Sequence, residues 1–200
     1  MARTRSSTYD DKRQRIRREA ARLFAQHGYA GTSIDQISQA CEASKSWLYH
    51  YYRSKDALLY DVLRDHMQAL NRVLAGALAE GGEPETQFRR ALSRLVDNYV
   101  DYRDELQVLM KEIDQLAPEQ RDEVRALERD LVHSMRSLLR RLQPQLDDTR
   151  ARASTMALFG MINWVYTWFR VDRGIDAETF GALAADLFLE GLLNLRKEPQ

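Results

Sequence analysis

The residues between Ser44 and Lys55 include a dense set of side chains that can hydrogen-bond or stack on a planar group. Lysine, serine and histidine donate hydrogen bonds to phosphate oxygens and base acceptors, and tryptophan can pack on the methyl group of thymine. The candidates for base contacts lie at or near the front of this segment: Lys45, Ser46, Trp47 and His50. These residue types favour recognition of a nucleic acid by one short element.

Three helix starts would position these side chains. Thr32 is predicted as the first N-cap, and Asp35 follows three residues later as a short-chain variant of the capping box. Ser44 and Ser54 are predicted to start a second and a third helix, and the negative charge of Asp56 suits the first turn of the third. Because only about two or three residues separate the first two helices, the pattern predicts a helix-turn-helix whose second helix reads a DNA major groove.

The segment from about Ile16 to Leu59 resembles the DNA-binding domain of the TetR family of bacterial transcriptional regulators. The matching positions are Ile16, Ala20, Ala21, Leu23, Phe24, Gly28, Tyr29, Thr32, Ser33, Ile34, Ile37, Ala40, Ser44, Leu48, Tyr49, Tyr52, Ser54, Lys55, Asp56 and Leu58. The chain departs from the family pattern at Ser38, Glu42, Ser46 and Trp47. So many matches in register make the resemblance specific.

A second group of polar residues is predicted to contact DNA phosphates. Two of them lie at a predicted helix N-terminus, which suits an anion, and the resemblance implies the same role for the two tyrosines and the lysine. The predicted phosphate contacts are Thr32, Ser33, Tyr49, Tyr51 and Lys55, and Ser44 is also predicted to contact DNA. Simple packing is the alternative role for Tyr49, and an ordinary surface position is the alternative for His50.

Glu42 occupies the turn position at which the family pattern has glycine. A turn residue with positive φ suits glycine, because a Cβ atom is crowded in that conformation. We therefore expect a locally strained or slightly different turn at Glu42, with the helix-turn-helix retained.

Charge is distributed unevenly along the chain, although the net charge over all 200 residues is zero. Residues 1–60 hold 11 Lys/Arg and 6 Asp/Glu, a net charge of +5, and the remainder carries −5. A basic end joined to an acidic body is expected of a protein that touches DNA with one end. The single cysteine, Cys41, excludes a disulfide framework within the chain and fits a reducing cytoplasm.

The hydrophobic pattern is helical throughout, with no alternating strand segments. It predicts an all-α fold of about nine helices, with an N-terminal three-helix, homeodomain-like DNA-binding domain and a C-terminal helical bundle. The DNA-binding domain is expected over residues 1–59, and an effector-binding and dimerisation domain over residues 60–200.

Three predicted helices matter for the later argument. The first is expected from about residue 10 to residue 27, after a mobile segment in which Arg3 and Arg5 form either an arm near the DNA or a disordered tail. The fourth, over about residues 54–80, would join the two domains. The eighth, over about residues 148–171, is apolar on nearly all sides, which indicates burial against its own bundle and a partner chain.

TetR-family proteins dimerise through their last two long helices. The resemblance therefore implies a homodimer with a two-fold four-helix interface built from about residues 150–171 and 177–196. A symmetric dimer presents two recognition helices to two half-sites, so the operator is expected to be a rough palindrome.

Aromatic and methionine side chains in the predicted bundle are candidates for an effector pocket, with ordinary core packing as the alternative for each. They are Phe88, Tyr99, Tyr102, Met110, Met135, Trp164 and Trp168. The segment 158–170 is similar to the C-terminal pattern of TetR regulators of fatty-acid, phenylacetate and steroid-ring catabolism, many of which respond to acyl-CoA thioesters. The resemblance thus implies a small hydrophobic effector, of which an acyl-CoA is one candidate.

The function expected from these observations is a dimeric repressor released from its operator by that effector. The alternatives are a drug-responsive repressor of an efflux pump and a helical lipid or CoA carrier without specific DNA binding. The sequence contains no nucleotide-binding glycine loop, nucleophile motif, cofactor motif or zinc spacing, so neither an enzyme nor a metal site is expected. We expect no signal peptide, because residues 1–22 are too charged, and no membrane span, because no run approaches the ~18 apolar residues that a span needs.

Overall fold

The computed structural model describes residues 2–170 and 174–194, with side chains from Tyr9 onward. Within these ranges every regular element is helical, which confirms the predicted all-α class. The elements are α1 (Ala2–His27), α2 (Ile34–Ala40), α3 (Lys45–Tyr51), α4 (Lys55–Ala79), α5 (Pro84–Asp101), α6 (Arg103–Glu112), α7 (Pro118–Leu142), α8 (Asp148–Asn163), α9 (Val165–Trp168) and α10 (Ala177–Leu193). A turn of 3₁₀-helix, Ile113–Gln115, follows α6. None of these described helices is long and apolar enough to cross a lipid bilayer.

Packing divides the chain into two compact units. Residues 1–67 and 104–125 form the first, called here the headpiece unit, and residues 68–103 and 126–200 form the second, the body unit. This division differs from the predicted boundary after residue 59, because α4 runs unbroken past that position with Leu59, Val62 and Leu63 buried. The headpiece unit also includes α6 and the start of α7, which the sequence pattern did not indicate.

The core of the headpiece unit is built from the apolar faces of its helices. Its buried residues include Phe24, Ile37, Leu48, Tyr52 and Leu58, whereas Ile34 is only half-buried. The start of α1 at Ala2 shows that the expected start near residue 10 was wrong; residues 2–9 contain no proline or glycine to interrupt the helix. The side chains of Arg3 and Arg5 lie outside the described residues.

The start of α2 is capped by Ser33 and not, as predicted, by Thr32. The Ser33 hydroxyl accepts the Gln36 N–H at 3.2 Å, and the Gln36 side chain accepts the Ser33 N–H at 2.7 Å, so Gln36 replaces Asp35 in the capping box. The Thr32 hydroxyl is buried instead, 2.8 Å from the carbonyl oxygen of Gly28 and 3.2 Å from that of Leu23. Thr32 therefore joins the start of α2 to the end of α1.

Two side chains of α6 hold the end of α1 within the headpiece unit. The Gln107 amide donates to the carbonyl oxygen of Ala25 at 2.7 Å, and the Glu112 carboxylate accepts the N–H of Tyr29 at 3.2 Å. Gly28, between these two points, has a φ of 74°, and a Cβ atom there would lie 3.4 Å from the Glu112 carboxylate. These contacts explain why α6 belongs to this unit.

In the body unit, α5 packs along α10. A Cβ atom on Gly181 would lie 3.1 Å from the Cα atom of Ser93, so glycine permits the close approach of the two helices. The rings of Phe88 and Phe188 stack with their centroids 5.5 Å apart. Asp176 caps α10, accepting the Thr179 N–H at 2.8 Å.

The predicted eighth helix is divided at Trp164 into α8 and α9. The Thr167 N–H and hydroxyl both donate to the carbonyl oxygen of Trp164, at 3.0 and 2.7 Å. The Arg103 guanidinium donates twice to the carbonyl oxygen of Tyr166, at 2.8 and 2.6 Å. Trp164 keeps helical φ and ψ angles, and the chain is extended at Phe169. The predicted end at Val171 lies outside the described residues.

Candidate nucleic-acid interface

The turn between α2 and α3 has the geometry of a helix-turn-helix. Ser44 caps α3 as predicted, because its hydroxyl accepts the Trp47 N–H at 3.1 Å. Glu42 has a φ of 51° and is the only non-glycine residue with positive φ among the residues described here. The predicted strain at Glu42 is therefore present, and the Ala43 N–H still closes the turn on the carbonyl oxygen of Ser38 at 2.9 Å.

One side of α3 is open to solvent. Leu48 is fully buried and holds the helix on the core, whereas most of its neighbours are accessible. The exposed predicted residues are Ser33, Ser44, Lys45, Ser46, Tyr49 and His50, and the half-buried ones are Trp47 and Tyr51. The candidates for base contact are thus exposed or, for Trp47, half-buried.

Lys45 is paired with Asp35 across the helix-turn-helix. Its ammonium lies 3.0 Å from the Asp35 carboxylate, and this hydrogen bond raises the pKa of Lys45. Both side chains are about half exposed, so solvent screens the pair and little free energy is needed to break it. Lys45 therefore remains accessible for a competing acceptor such as a guanine or a phosphate.

An aromatic cluster joins α1 to α3. Tyr9 stacks on Tyr51 with centroids 4.9 Å apart, and Trp47 and His50 also contact Tyr51 at 4.8 and 5.4 Å. Tyr9 is 41% exposed. The sequence did not predict Tyr9 as part of this surface, because the first helix was expected to start after it, near residue 10. The signal that could have found it is helical spacing, since Tyr9 lies one turn before Arg13 on the same helix.

Two basic residues of α1 lie beside the start of α3. The exposed side chains of Lys12 and Arg15 line a cleft of about 360 Å³ together with Cys41, Glu42, Ala43, Ser44 and Trp47. Both were absent from the predicted site. They add positive charge beside Ser44 and Trp47, two of the predicted DNA contacts.

Two of the predicted phosphate contacts are turned towards the protein. Thr32 is 2% exposed, so its side chain is not available at the surface. Lys55 is half-buried, and its ammonium donates to the carbonyl oxygens of Tyr29 and Thr32 at 2.8 and 2.9 Å. In this structure both side chains stabilise the turn before α2.

The predicted effector residues do not form one enclosed group. Phe88, Tyr99 and Met135 are buried in the body unit, and Tyr102 is half-buried. Trp164 and Trp168 are 59% and 49% exposed, because they project from the end of α8 and from α9. Met110 is 45% exposed and belongs to the headpiece unit.

Buried titratable side chains occur away from the surface of α3. His66 is 3% exposed, neither ring nitrogen has a hydrogen-bond partner, and burial lowers the pKa of His66 to about 4. Burial raises the pKa of Tyr99, with Glu128 adding to the effect, and raises the pKa of Glu105 to about 7. Among the described residues, no three His, Cys, Asp or Glu side chains are grouped closely enough to hold a metal ion.

Two short helices, a tight turn and an exposed second helix define this chain as a helix-turn-helix protein. Residues 16–62 match the family described as bacterial regulatory proteins, tetR family, and residues 81–192 match the tetracyclin repressor-like C-terminal domain. The chain belongs to the TetR family of transcriptional regulators, and its class is therefore a regulator and not an enzyme.

Individual relatives agree with this assignment. The chain is 38% identical to a TetR-family transcriptional regulator from Bordetella parapertussis 12822, over 92% of this chain and 97% of that one, with a TM-score of 0.85. It is 27% identical over 108 residues to the HTH-type transcriptional repressor NicS of Pseudomonas putida, and this match covers 54% of the chain and 51% of NicS. Matches to such HTH-type regulators span only 35% to 51% of those proteins' own length.

A third relative has been crystallised with its ligands. The structure of AibR in complex with isovaleryl coenzyme A and operator DNA is 23% identical to this chain, covers 90% of it and 97% of AibR, and has a TM-score of 0.76. At this level of identity the similarity shows a shared fold.

Proposed function

We propose that this chain is a transcriptional repressor that binds a palindromic operator as a homodimer and is released by a hydrophobic effector of the acyl-CoA class. The observation that carries the proposal is the exposed face of α3, with Lys45, Ser46, Trp47 and His50 accessible beside the basic side of α1. Family membership and the similarity to the repressor NicS support the same function.

The proposed DNA contacts separate by role. Lys45, Ser46, Trp47 and His50 are assigned to base edges, because they lie on the exposed side of the helix that follows the turn. Ser33, Ser44, Tyr49 and Tyr51 are assigned to the phosphates, and Lys12 and Arg15 join them. Thr32 and Lys55 are left out of the contacts, since their polar groups are engaged within the headpiece unit.

The homodimer is supported by an exposed apolar face on α8, α9 and α10. Met156, Gly160 and Trp164 follow one another at four-residue spacing on α8 and its C-cap, and Leu183, Leu187 and Gly191 do so on α10. Leu187 is 63% exposed, and nothing lies within 4 Å of a Cβ atom placed on Gly160 or Gly191. Glycine within an exposed helix costs about 1 kcal/mol relative to alanine, so its presence on this face suits close approach of a partner helix.

The effector is assigned to the body unit. The apolar side chains come from Phe88, Tyr99 and Met135, which are buried. Tyr102, which directly precedes α6 in the chain, is half-buried. The complex of AibR with isovaleryl coenzyme A and operator DNA shows that a protein of this fold holds both ligands. We expect the effector to shift the helices that continue into the headpiece unit, α4 above all, so that effector affinity and operator affinity oppose each other reciprocally.

Fluorescence anisotropy of a labelled duplex from upstream of the gene tests the DNA proposal. We expect tighter binding to that duplex than to a random duplex, with an affinity that falls steeply as salt rises. Lys45→Ala and Trp47→Ala should reduce the difference between the two duplexes, whereas Arg129→Ala, an exposed position on α7, should not. Equal affinity of the wild type for both duplexes would contradict the proposal and favour a carrier without specific DNA binding.

The effector proposal is tested on the same complex with a panel of acyl-CoA thioesters and their free acids. We expect one thioester to release the duplex while its free acid does not, because the CoA head adds charge-assisted contacts. Tight binding that no thioester disturbs would retain the repressor and reject the acyl-CoA, and a flat cationic drug would then be the next ligand to test.

A further inference from the structure

We propose that Tyr52 and Asp61 are positioning residues for operator recognition, holding α3 in the orientation that reads bases. The inference rests on the proposed function, in which α3 is the recognition helix. Neither residue is assigned to contact DNA. Their role is to fix the far end of α3 to α4 and α1 through a buried hydrogen-bond network.

Asp61 is the centre of this network. It projects from α4 and is 7% exposed, so its carboxylate is removed from water and needs donors. Its Oδ1 atom accepts from Arg13 Nη2 at 2.6 Å, and its Oδ2 atom accepts from the Tyr52 hydroxyl at 2.6 Å. Arg17 Nη1 lies 3.3 Å from Oδ2 and adds a second cation. Three donors from two other elements thus converge on one carboxylate.

Tyr52 is the C-cap of α3, and its N–H donates to the carbonyl oxygen of Leu48 at 3.0 Å. The ring is 4% exposed, and the hydroxyl donates to Asp61 while accepting from Arg13 Nε at 3.2 Å. The Arg13 guanidinium also lies 5.7 Å from the centre of the Tyr52 ring. The end of the helix is therefore fixed by a hydroxyl that is bonded on both sides.

The small size of α3 makes this anchor necessary. The helix has seven residues, and Leu48 is the only one of them that is buried. One buried side chain holds a helix against a core but does not set its rotation about that contact. Ser44 caps the first end of α3, and the Tyr52–Asp61 hydrogen bond supplies the second fixed point. Rotation about Leu48 would move Trp47 and His50 relative to any bases that they face.

The network also connects α3 with the aromatic cluster. Arg13 lies one helical turn after Tyr9 on α1, and Tyr9 stacks on Tyr51, the neighbour of Tyr52. The same side of α1 thus contacts α3 twice, once by stacking and once through Arg13. Buried ion pairs are weak sources of stability but can specify one arrangement among several. A role in positioning α3 explains why a buried ion-pair network that adds little stability is present.

The test compares Tyr52→Phe with Tyr60→Phe in the full chain. Each change removes one hydroxyl bonded to a carboxylate of the headpiece unit, since the Tyr60 hydroxyl contacts Glu123, but only Tyr52 caps α3. We expect Tyr52→Phe to lower the ratio of operator to random-duplex affinity by about tenfold, because a hydrogen bond to a charged group is lost. The salt dependence should stay unchanged, because no phosphate contact is removed. Tyr60→Phe should leave both quantities as in the wild type.

Hydrogen exchange of the free protein gives a readout that does not need DNA. In Tyr52→Phe the amides of residues 47–52 should exchange faster, while those of α2 and of buried α4 stay protected. Wild type that does not prefer its operator would reject the proposed function, and this exchange measurement would still test the anchor. The inference would be overturned if Tyr52→Phe kept both the wild-type preference for the operator and the wild-type protection of the α3 amides from exchange.

Variants of Asp61 keep the test decisive. If Tyr52 and Asp61 act through one bond, the double variant Tyr52→Phe/Asp61→Asn should lower the affinity ratio less than the two single effects combined. Additive effects would contradict a shared role. If Tyr52→Phe unfolds, the single variant Asp61→Asn removes the carboxylate charge that holds the Tyr52 hydroxyl and Arg13. An unchanged affinity ratio in that variant would then overturn the inference.

Discussion

The ammonium group of Lys55 lies 2.8 Å from the carbonyl oxygen of Tyr29 and 4.1 Å from the centre of the Tyr29 ring. It also donates to the carbonyl oxygen of Thr32 at 2.9 Å. One side chain at the start of α4 therefore satisfies two carbonyls of the turn between α1 and α2. The contact explains why a lysine expected at the DNA surface is half-buried.

Replacing Lys55 by methionine should lower the free energy of unfolding by about 2 kcal/mol, because two charge-assisted hydrogen bonds to partly buried carbonyls are lost. Urea denaturation followed by circular dichroism measures this change. The matched control is Lys12→Met, at an exposed position of α1, and we expect it to change stability by less than about 0.5 kcal/mol. Equal effects of the two substitutions would contradict the assignment of Lys55 to the fold.

Glu42→Gly should raise the free energy of unfolding by about 0.5–1 kcal/mol. The φ of 51° is strained for a residue with a Cβ atom, and the relief exceeds the extra chain entropy that glycine loses on folding. The substitution also removes the ion pair between Arg15 and Glu42. This pair contributes little stability, because its charged atoms are 3.6 Å apart and its side chains are largely exposed. Thermal unfolding reports the change as a higher Tm.

The neighbouring Ala43→Gly is the control for Glu42. Ala43 does not have positive φ, so glycine there adds chain entropy to the unfolded state without relieving strain. We expect this variant to be less stable than the wild type. A decrease in Tm for both glycine variants would show that the turn at Glu42 stores no strain.

Leu187→Glu should convert the proposed homodimer into monomers. Leu187 is 63% exposed in the single chain, and a carboxylate buried in a self-complementary apolar interface is left without a partner. Analytical ultracentrifugation at micromolar concentration measures the change in mass. Met110→Glu, which alters an exposed methionine of α6, should leave the mass unchanged. A wild-type chain that sediments as a monomer would reject the homodimer itself.

His66 should make the protein less stable as pH falls from about 6.5 to about 4. Burial lowers the pKa of His66 to about 4. In this pH range the His66 side chain is therefore protonated in the unfolded chain but neutral in the folded protein. The loss approaches about 3 kcal/mol at the lower end, from about 1.4 kcal/mol for each pH unit. His66→Leu should abolish this part of the slope without loss of a hydrogen bond, because neither ring nitrogen has a partner.

Glu105 titrates in an overlapping range with the opposite sign, so His66 is best measured in a Glu105→Gln background. Burial raises the pKa of Glu105 to about 7, so the folded protein favours the protonated carboxyl. The free energy of unfolding therefore falls as pH rises towards that value. Urea denaturation between pH 4 and pH 8 separates the two contributions. A His66→Leu variant with the same acid slope as its background would contradict the assignment.

Features held by local hydrogen bonds could be predicted from the sequence. Ser44 and Asp176 accept an N–H three residues later, so each start depends on only a few consecutive residues. The positive φ at Glu42 was predictable for the same reason. The choice between Thr32 and Ser33 as the cap of α2 was not, because it depends on the carbonyl oxygens of α1 that accept the Thr32 hydroxyl.

The interface residues missed from the sequence belong to α1. Tyr9 reaches Tyr51 across 42 positions of the chain, and Lys12 and Arg15 lie beside Trp47 only because α1 crosses the start of α3. Trp164 and Trp168 were assigned to an effector pocket because periodicity shows that a helix is apolar without showing which side is covered. Their exposure in the single chain moves them to the proposed dimer surface.

The sequence by itself determined the helical class, most helix boundaries and the helix-turn-helix, because caps, prolines and apolar periodicity act over one or two turns of chain. Only the tertiary structure decided which polar groups face outward and which are used inside. Lys55 and Tyr52 carry groups as polar as those of Lys45 and Tyr49. Lys55 is half-buried on turn carbonyls and Tyr52 is buried on Asp61, whereas the other two side chains are exposed. Buried polar groups need hydrogen-bond partners, and the tertiary structure decides which residues lie close enough to supply them. For Asp61 the donors come from residues up to 48 positions away.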